Sequence, residues 1–103
     1  MPEIIDNAYE SIVEACKRFR VRHLYLFGSA LHDDFDPAKS DIDFLVEFEP
    51  LPVFQHGAAY LGLQDELFRI LETSRIDLVS NKALKNPYFA QEVNRTKQEL
   101  YAA

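Results

Sequence analysis

The hydrophobic positions of this chain repeat with two different periods, and the change of period predicts its elements. Steps of three and four residues, typical of amphipathic helices, occur over 4–19, 53–71 and 88–101. Short apolar or alternating runs, typical of strands, occur over 23–27, 41–49 and 75–80. The order helix, strand, helical turn, strand, helix, strand, helix predicts a small α/β (α+β) domain whose helices pack against a short mixed β-sheet. A helix joins the second and third strands, so their relative direction stays open.

The length of 103 residues and an apolar content of 48% predict one packed domain over 1–103. The apolar runs are too short to cross a membrane, and the N-terminus lacks a signal-peptide pattern, so we expect a cytoplasmic protein without membrane contact. Cys16 is the lone cysteine, which agrees with a reducing compartment. Its position among the apolar residues of the first helix predicts a buried, unreactive thiol.

Eleven basic and seventeen acidic residues give the chain a net charge of −6. We therefore expect no direct binding to nucleic acid, because such binding needs a basic surface. A nucleotide substrate stays compatible with this charge, since bound Mg²⁺ would reverse the local sign. Acidic residues crowd one short stretch: Asp33, Asp34, Asp36, Asp41, Asp43, Glu47 and Glu49. An electronegative surface of this kind suits cations or a basic protein partner.

The first predicted strand ends in a turn, Gly28-Ser29, that has the features of an anion site. Gly28 permits a sharp turn and lets a phosphate approach the backbone closely. Ser29 is predicted to cap a short helix through Ala30 and Leu31, where free N–H groups and the hydroxyl can hold a phosphate. The turn lacks the glycine and lysine framework of a P-loop.

Three aspartates complete this candidate site. Asp41 and Asp43 open the second strand two residues apart, so their side chains share one face. Asp77 has the strand parity that points away from the core, and it could hold a second ion or accept a proton. Carboxylates that lie close together repel unless they share a proton or bind a cation, and Mg²⁺ prefers oxygen ligands. Two such ions can clamp the attacking and leaving oxygens of a displacement at phosphorus, so we predict nucleotidyl transfer.

Simpler interpretations apply to each part alone. Asp41 could be a solvated turn residue, and Asp77 could pair with Arg75 or Arg22. The acidic loop lacks the glycine and closing glutamate of a calcium site, and the histidines lack zinc-ligand spacing. We expect three late aromatic residues to be packing residues: Tyr88, Phe89 and Tyr101.

With these motifs the chain resembles the minimal nucleotidyltransferases of the DNA polymerase β superfamily. The matching segments are 26–29, 40–48 and 75–79, and the resemblance extends over nearly the whole chain. It implies a polymerase-β-like fold and Mg²⁺-dependent transfer of AMP from ATP with release of pyrophosphate. It also implies roles for five residues: Asp41, Asp43 and Asp77 as catalytic metal ligands for two Mg²⁺ ions, and Gly28 and Ser29 as nucleotide-binding residues.

The resemblance further implies a partner. Many small members of the family are antitoxins encoded beside a helical HEPN-domain toxin, and some silence it by attaching AMP to a tyrosine. It thus implies a cognate HEPN toxin as partner. Because a domain this small covers little of an acceptor by itself, we expect either a hetero-oligomer with the partner or self-association. Two other functions stay open, namely a non-catalytic antitoxin that acts by binding alone and a nucleotidyltransferase acting on a small molecule such as an aminoglycoside.

One departure from the family pattern concerns the phosphates. Family members commonly continue Gly-Ser with Ala-Arg-Gly, whereas this chain has Ala30, Leu31 and His32 there. Two alternatives follow: the protein holds the phosphates more weakly, or the missing positive charge comes from Arg20, Arg22, Lys39 or the partner protein.

Overall fold

Four strands form one mixed sheet in the order β3-β2-β1-β4 in a computed structural model that describes all residues, 1–103. Strands β1 and β2 are antiparallel, as are β1 and β4, whereas β2 and β3 are parallel. The elements in chain order are α1 (Glu3–Arg18), β1 (Val21–Phe27), a 3₁₀ turn (Gly28–Leu31), β2 (Ile42–Phe48), α2 (Val53–Leu71), β3 (Ile76–Ser80), a second 3₁₀ turn (Asn81–Ala83), α3 (Pro87–Thr96) and β4 (Gln98–Ala102). The predicted small α/β domain with a mixed sheet is confirmed; its extent as a single unit over 1–103 stays a prediction.

The prediction of a final helix over 88–101 is wrong in its second half. Helix α3 ends at Thr96, and the residues after it form β4, which pairs with β1. Leu100 is buried and Tyr101 is partly buried. Taken by themselves, these apolar positions also fit the buried stripe of a helix. Pairing with the otherwise open edge of β1 satisfies backbone groups of both strands, and this non-local gain overrides the helical pattern.

The main core lies between one face of the sheet and the pair α1 and α2. Gly62 of α2 lies against the ring of Phe19, so closely that a Cβ atom at position 62 would lie 2.4 Å from that ring. This glycine permits close packing of the middle of α2 against the C-terminal end of α1. Cys16 is fully buried, as predicted, and burial raises the pKa of its thiol to about 12, which disfavours the reactive thiolate.

The opposite face of the sheet is covered only in part. Phe27, Leu45 and Val93 form a second, small apolar cluster beneath α3. Asp43 and Asp77 have the strand parity of this face, so they lie on the side of the sheet that α3 occupies. None of the three helices combines the length and the apolar character that a membrane crossing needs.

Candidate active site

Strand pairing brings the Gly28 turn against Asp43. Phe27 pairs with Asp43 across β1 and β2, so the next residue, Gly28, turns beside that carboxylate. The φ angle of Gly28 is +72°, in the left-handed region that favours glycine. A Cβ atom on Gly28 would lie 2.3 Å from Oδ2 of Asp43, closer than any real contact. Glycine is therefore required twice at this position, by the backbone conformation and by the neighbouring carboxylate.

Ser29 does not cap a helix as predicted. The 3₁₀ turn begins one residue earlier, at Gly28, and its preceding residue Phe27 makes no side-chain capping bond. The Ser29 hydroxyl instead donates to the backbone carbonyl of Asp41 at 2.9 Å. This bond closes the loop over 30–40 and holds the start of β2 beside the turn.

The three aspartates differ in their surroundings. Asp43 and Asp77 are direct neighbours in the parallel register of β2 and β3, and Asp43 is partly buried whereas Asp77 is exposed. Asp41 precedes β2 and is exposed. None of the three forms a salt bridge, and Arg75 donates instead to the carbonyl of Lys39 at 3.4 Å. The simpler interpretation of Asp77 as an ion-pair partner of Arg75 or Arg22 therefore does not hold.

The environment of Asp43 disfavours its charged form. Burial, then the negative charges of Asp77 and Asp41, raise the pKa of the Asp43 carboxyl from 3.8 to about 6, and the Ser29 backbone N–H opposes this rise. Acids that perturb one another in this way are characteristic of functional sites. The site therefore concentrates negative charge that no basic side chain of the chain neutralises by pairing.

The acidic side chains do not form a complete metal site by themselves. No group of three or more His, Cys, Asp or Glu side chains converges closely enough to hold a metal ion. Mg²⁺, however, typically takes one or two carboxylates together with substrate phosphates and water. Asp43 and Asp77 lie side by side on neighbouring strands, where their negative charges repel each other. This pair of carboxylates fits a Mg²⁺ ion that also binds substrate phosphates and water. The residue assignments made from the sequence stay predictions.

The raised pKa of Asp43 has a consequence for stability in metal-free buffer. The folded state binds this proton more tightly than the unfolded state, so the stabilising contribution is complete below about pH 4 and is lost as the pH rises through about 6. Asp43→Asn should raise the free energy of unfolding at pH 7 by about 1–2 kcal/mol, a value discounted for partial solvent exposure, and change it little at pH 4. Urea unfolding at a series of pH values measures this difference. Asp34→Asn removes the same charge from an exposed loop and should show no such pH dependence; equal behaviour of both variants would contradict the prediction.

A cavity of about 740 Å³ adjoins these residues. Gly28, Asp43 and Asp77 line it, whereas Asp41 and Ser29 do not. It is also lined by the end of the 3₁₀ turn and by α3: Leu31, His32, Phe89, Glu92, Val93, Arg95 and Thr96. The cavity has space for part of a nucleotide next to two carboxylates.

Sequence reasoning missed the contribution of α3 to this cavity. The predicted helix over 88–101 contains Glu92, Arg95 and Thr96, but its pattern does not indicate that they reach the site; they line the cavity because α3 packs on this face of the sheet through Val93. Phe89 packs edge-on against Phe27 with ring centroids 6.2 Å apart, which agrees with its predicted packing role. Tyr88 is 82% exposed, so its predicted packing role is wrong.

The geometry agrees with the comparisons with known proteins. Residues 10–103 match the family model described as polymerase beta, nucleotidyltransferase. A protein of Methanocaldococcus jannaschii named "Putative protein adenylyltransferase MJ0128" is 34% identical over 77 residues, which make up 75% of this chain and 74% of that protein. The chain belongs to the polymerase β nucleotidyltransferase family, and its enzyme class is that of a nucleotidyltransferase.

Two solved structures share the fold. One, described as "putative minimal nucleotidyltransferase", has a TM-score of 0.68 and 27% identity, covering 93% of this chain and 92% of that one. The other, a mutant of the toxin–antitoxin MntA–HpeT, has a TM-score of 0.67 and 20% identity, covering 92% of this chain and 73% of that one. The four-stranded mixed sheet with three helices is thus the fold of a minimal nucleotidyltransferase.

Proposed function

We propose that this chain is a protein adenylyltransferase that transfers AMP from ATP to a partner HEPN toxin and thereby acts as its antitoxin. The observation that carries the proposal is the Gly28 turn packed against Asp43, with Asp77 beside it at one cavity. The name of the Methanocaldococcus jannaschii relative supports a protein acceptor. The toxin–antitoxin assembly of the MntA–HpeT neighbour supports a toxin as that acceptor.

In the proposed reaction an acceptor hydroxyl oxygen forms a bond to the α-phosphorus of ATP. The bond from that phosphorus to the α,β-bridging oxygen breaks, and pyrophosphate leaves. Asp43 and Asp77, which line the cavity, would hold Mg²⁺ together with the substrate phosphates, and the negative charge of Asp41 would add to the attraction; the ion would supply charge neutralisation at the phosphates. Asp77 is exposed beside the cavity, so it can also accept the proton of an approaching hydroxyl. Gly28 would let a phosphate approach the backbone of the turn closely, and Ser29, whose hydroxyl donates to the Asp41 carbonyl, would hold that nucleotide-binding turn in place.

The test is a labelling experiment with the purified chain, Mg²⁺ and the product of the adjacent gene. We expect label from α-labelled ATP, and none from γ-labelled ATP, to appear in the partner, because the bond that breaks lies between the α and β phosphates. Chelation of divalent metal by EDTA should abolish labelling. Transfer of the γ label would identify a kinase instead and would refute the proposal.

A second function, antitoxin action by binding alone, is favoured by one further observation. Val53, Phe54 and Leu61 of α2 are 85%, 92% and 59% exposed, and exposed apolar groups of this kind often mark protein-binding surfaces. The net charge of −6 would add attraction to a basic partner. A variant without Asp41 and Asp43 carboxylates that still protects cells from the toxin would favour this function over the first.

A further inference from the structure

The phosphates of a bound nucleotide need positive charge that the Gly28 turn does not contain. Ala30, Leu31 and His32 follow the turn, and no arginine or lysine is among them. The cavity wall already contains Asp43 and Asp77, so a triphosphate entering it would meet more negative charge. With the proposed function as the premise, a further residue of this chain has to offset this repulsion.

The residues that the sequence suggested for this role lie elsewhere. Arg20 and Arg22 are at the start of β1 and Gly28 follows its end, a separation of roughly 20 Å along a strand. Arg20 is also held by Glu49 through two hydrogen bonds of 3.2 and 3.1 Å. Lys39 lies in the loop before β2 and does not line the cavity. The expectation that these three side chains complete the site is not supported by their positions.

Arg95 is the one arginine or lysine among the residues that line the cavity with Gly28, Asp43 and Asp77. It lies in the last turn of α3, where a cation is favoured by the helix dipole. The residues that follow are anchored, because Gln98 of β4 pairs with Leu26 of β1, two residues before Gly28. The end of α3 is therefore held beside the turn by the sheet itself.

The present partner of Arg95 is one that a phosphate can replace. Arg95 donates to Glu92, three residues earlier, with Nη2–Oε1 at 2.8 Å and Nε–Oε2 at 3.3 Å. The two side chains are 68% and 62% exposed, and ion pairs at such exposed positions are weak. A guanidinium binds phosphate through two parallel N–H donors, with more charge on the acceptor than a carboxylate provides.

We infer that Arg95 binds the triphosphate of the nucleotide in place of the arginine missing after Gly28-Ser29, and that Glu92 holds its guanidinium when no nucleotide is bound. The carrying observation is the juxtaposition of Arg95 with Gly28, Asp43 and Asp77 on one cavity. Gly28 of the turn and Arg95 of α3 would then both contact the phosphates.

Equilibrium binding of Mg·ATP, with tripolyphosphate and adenosine as competitors, tests this role. Arg95→Ala should raise the Kd for Mg·ATP by about 10- to 100-fold and weaken tripolyphosphate similarly, while competition by adenosine stays unchanged. Arg95→Lys should bind with intermediate affinity, since it keeps the charge but loses the two-pronged geometry. In the transfer assay, Arg95→Ala should raise KM for ATP more than it lowers kcat.

A matched control is available on α2. Arg69 forms the same kind of pair, with Glu66 three residues earlier, and it is absent from the cavity lining. Arg69→Ala should bind Mg·ATP as the wild type does, and thermal unfolding should show that both variants are folded. If Arg95→Ala binds Mg·ATP within twofold of the wild type, the inference is overturned while α-label transfer still decides the proposed function. A wild-type chain that binds no Mg·ATP overturns both.

Discussion

Replacing Asp43 with asparagine is expected to lower AMP transfer by about three orders of magnitude or more. Asp43 is the acid nearest the Gly28 turn, it neighbours Asp77 across the parallel strands, and both line the cavity. Asparagine keeps the size of the side chain but removes the charge that would hold a divalent cation at the phosphates. The same variant should be more stable than the wild type at pH 7, so the loss cannot be assigned to unfolding. The initial rate of label transfer from α-labelled ATP is the measurement.

The control for this prediction separates local from overall charge. Asp34→Asn makes the same change in net charge on an exposed loop and should transfer AMP at the wild-type rate. Asp41→Asn together with Asp43→Asn should reduce transfer at least as far as the single change. A folded Asp43→Asn protein that labels its partner at the wild-type rate would contradict the assignment of this carboxylate.

Gly28→Ala is the second change for which we expect a large effect. Alanine in the left-handed backbone conformation of Gly28 is strained, and its Cβ atom would collide with Oδ2 of Asp43. We expect a loss of about 1–3 kcal/mol in the free energy of unfolding, measured by urea titration. The Asp43 carboxylate must move to relieve the contact, and misplacing a reacting or binding group by about 1 Å costs about 100-fold in rate. The transfer rate should therefore fall by about two orders of magnitude.

Gly57 is the matched control for the backbone effect. It lies within α2, and a Cβ atom there would meet no atom within 4 Å. Gly57→Ala should stabilise the protein by roughly 1 kcal/mol, because alanine is the better helix former. If Gly28→Ala lost stability yet kept full transfer activity, the turn would support the fold without positioning Asp43 for chemistry.

Local periodicity was sufficient to predict most of the elements. The apolar steps over 53–71 agree with the observed helix Val53–Leu71, and the alternation after Asp41 agrees with the strand Ile42–Phe48. These elements bury a face or stripe that is set by side chains a few residues apart, so the signal is contained in the sequence itself. The parity of Asp77, outward between buried Ile76 and Leu78, follows from the same rule.

The sequence was sufficient to predict those residues of the candidate site whose role follows from local properties. The sequence pointed to Gly28, Ser29 and the Asp-x-Asp pair because glycine conformation and strand parity are local properties. It did not predict that Ser29 would close the loop by donating to the Asp41 carbonyl, since that bond joins residues brought together only by the β1–β2 register.

Tertiary structure alone decided the direction of β3, the existence of β4 and the place of Arg95. A helical crossover is compatible with either direction of the third strand, and only the sheet makes β2 and β3 parallel, with Asp43 beside Asp77. The residues of β4 have a helix-like pattern, but the edge of β1 offers unpaired backbone groups that outweigh it. Packing of α3 on the sheet through Val93 places Arg95 at the cavity. Side-chain periodicity is a property of neighbours in sequence, so the sequence by itself determined the helices and strands that bury a regular face. Strand pairing and cavity walls depend on segments far apart in the chain, so only the tertiary structure determined them.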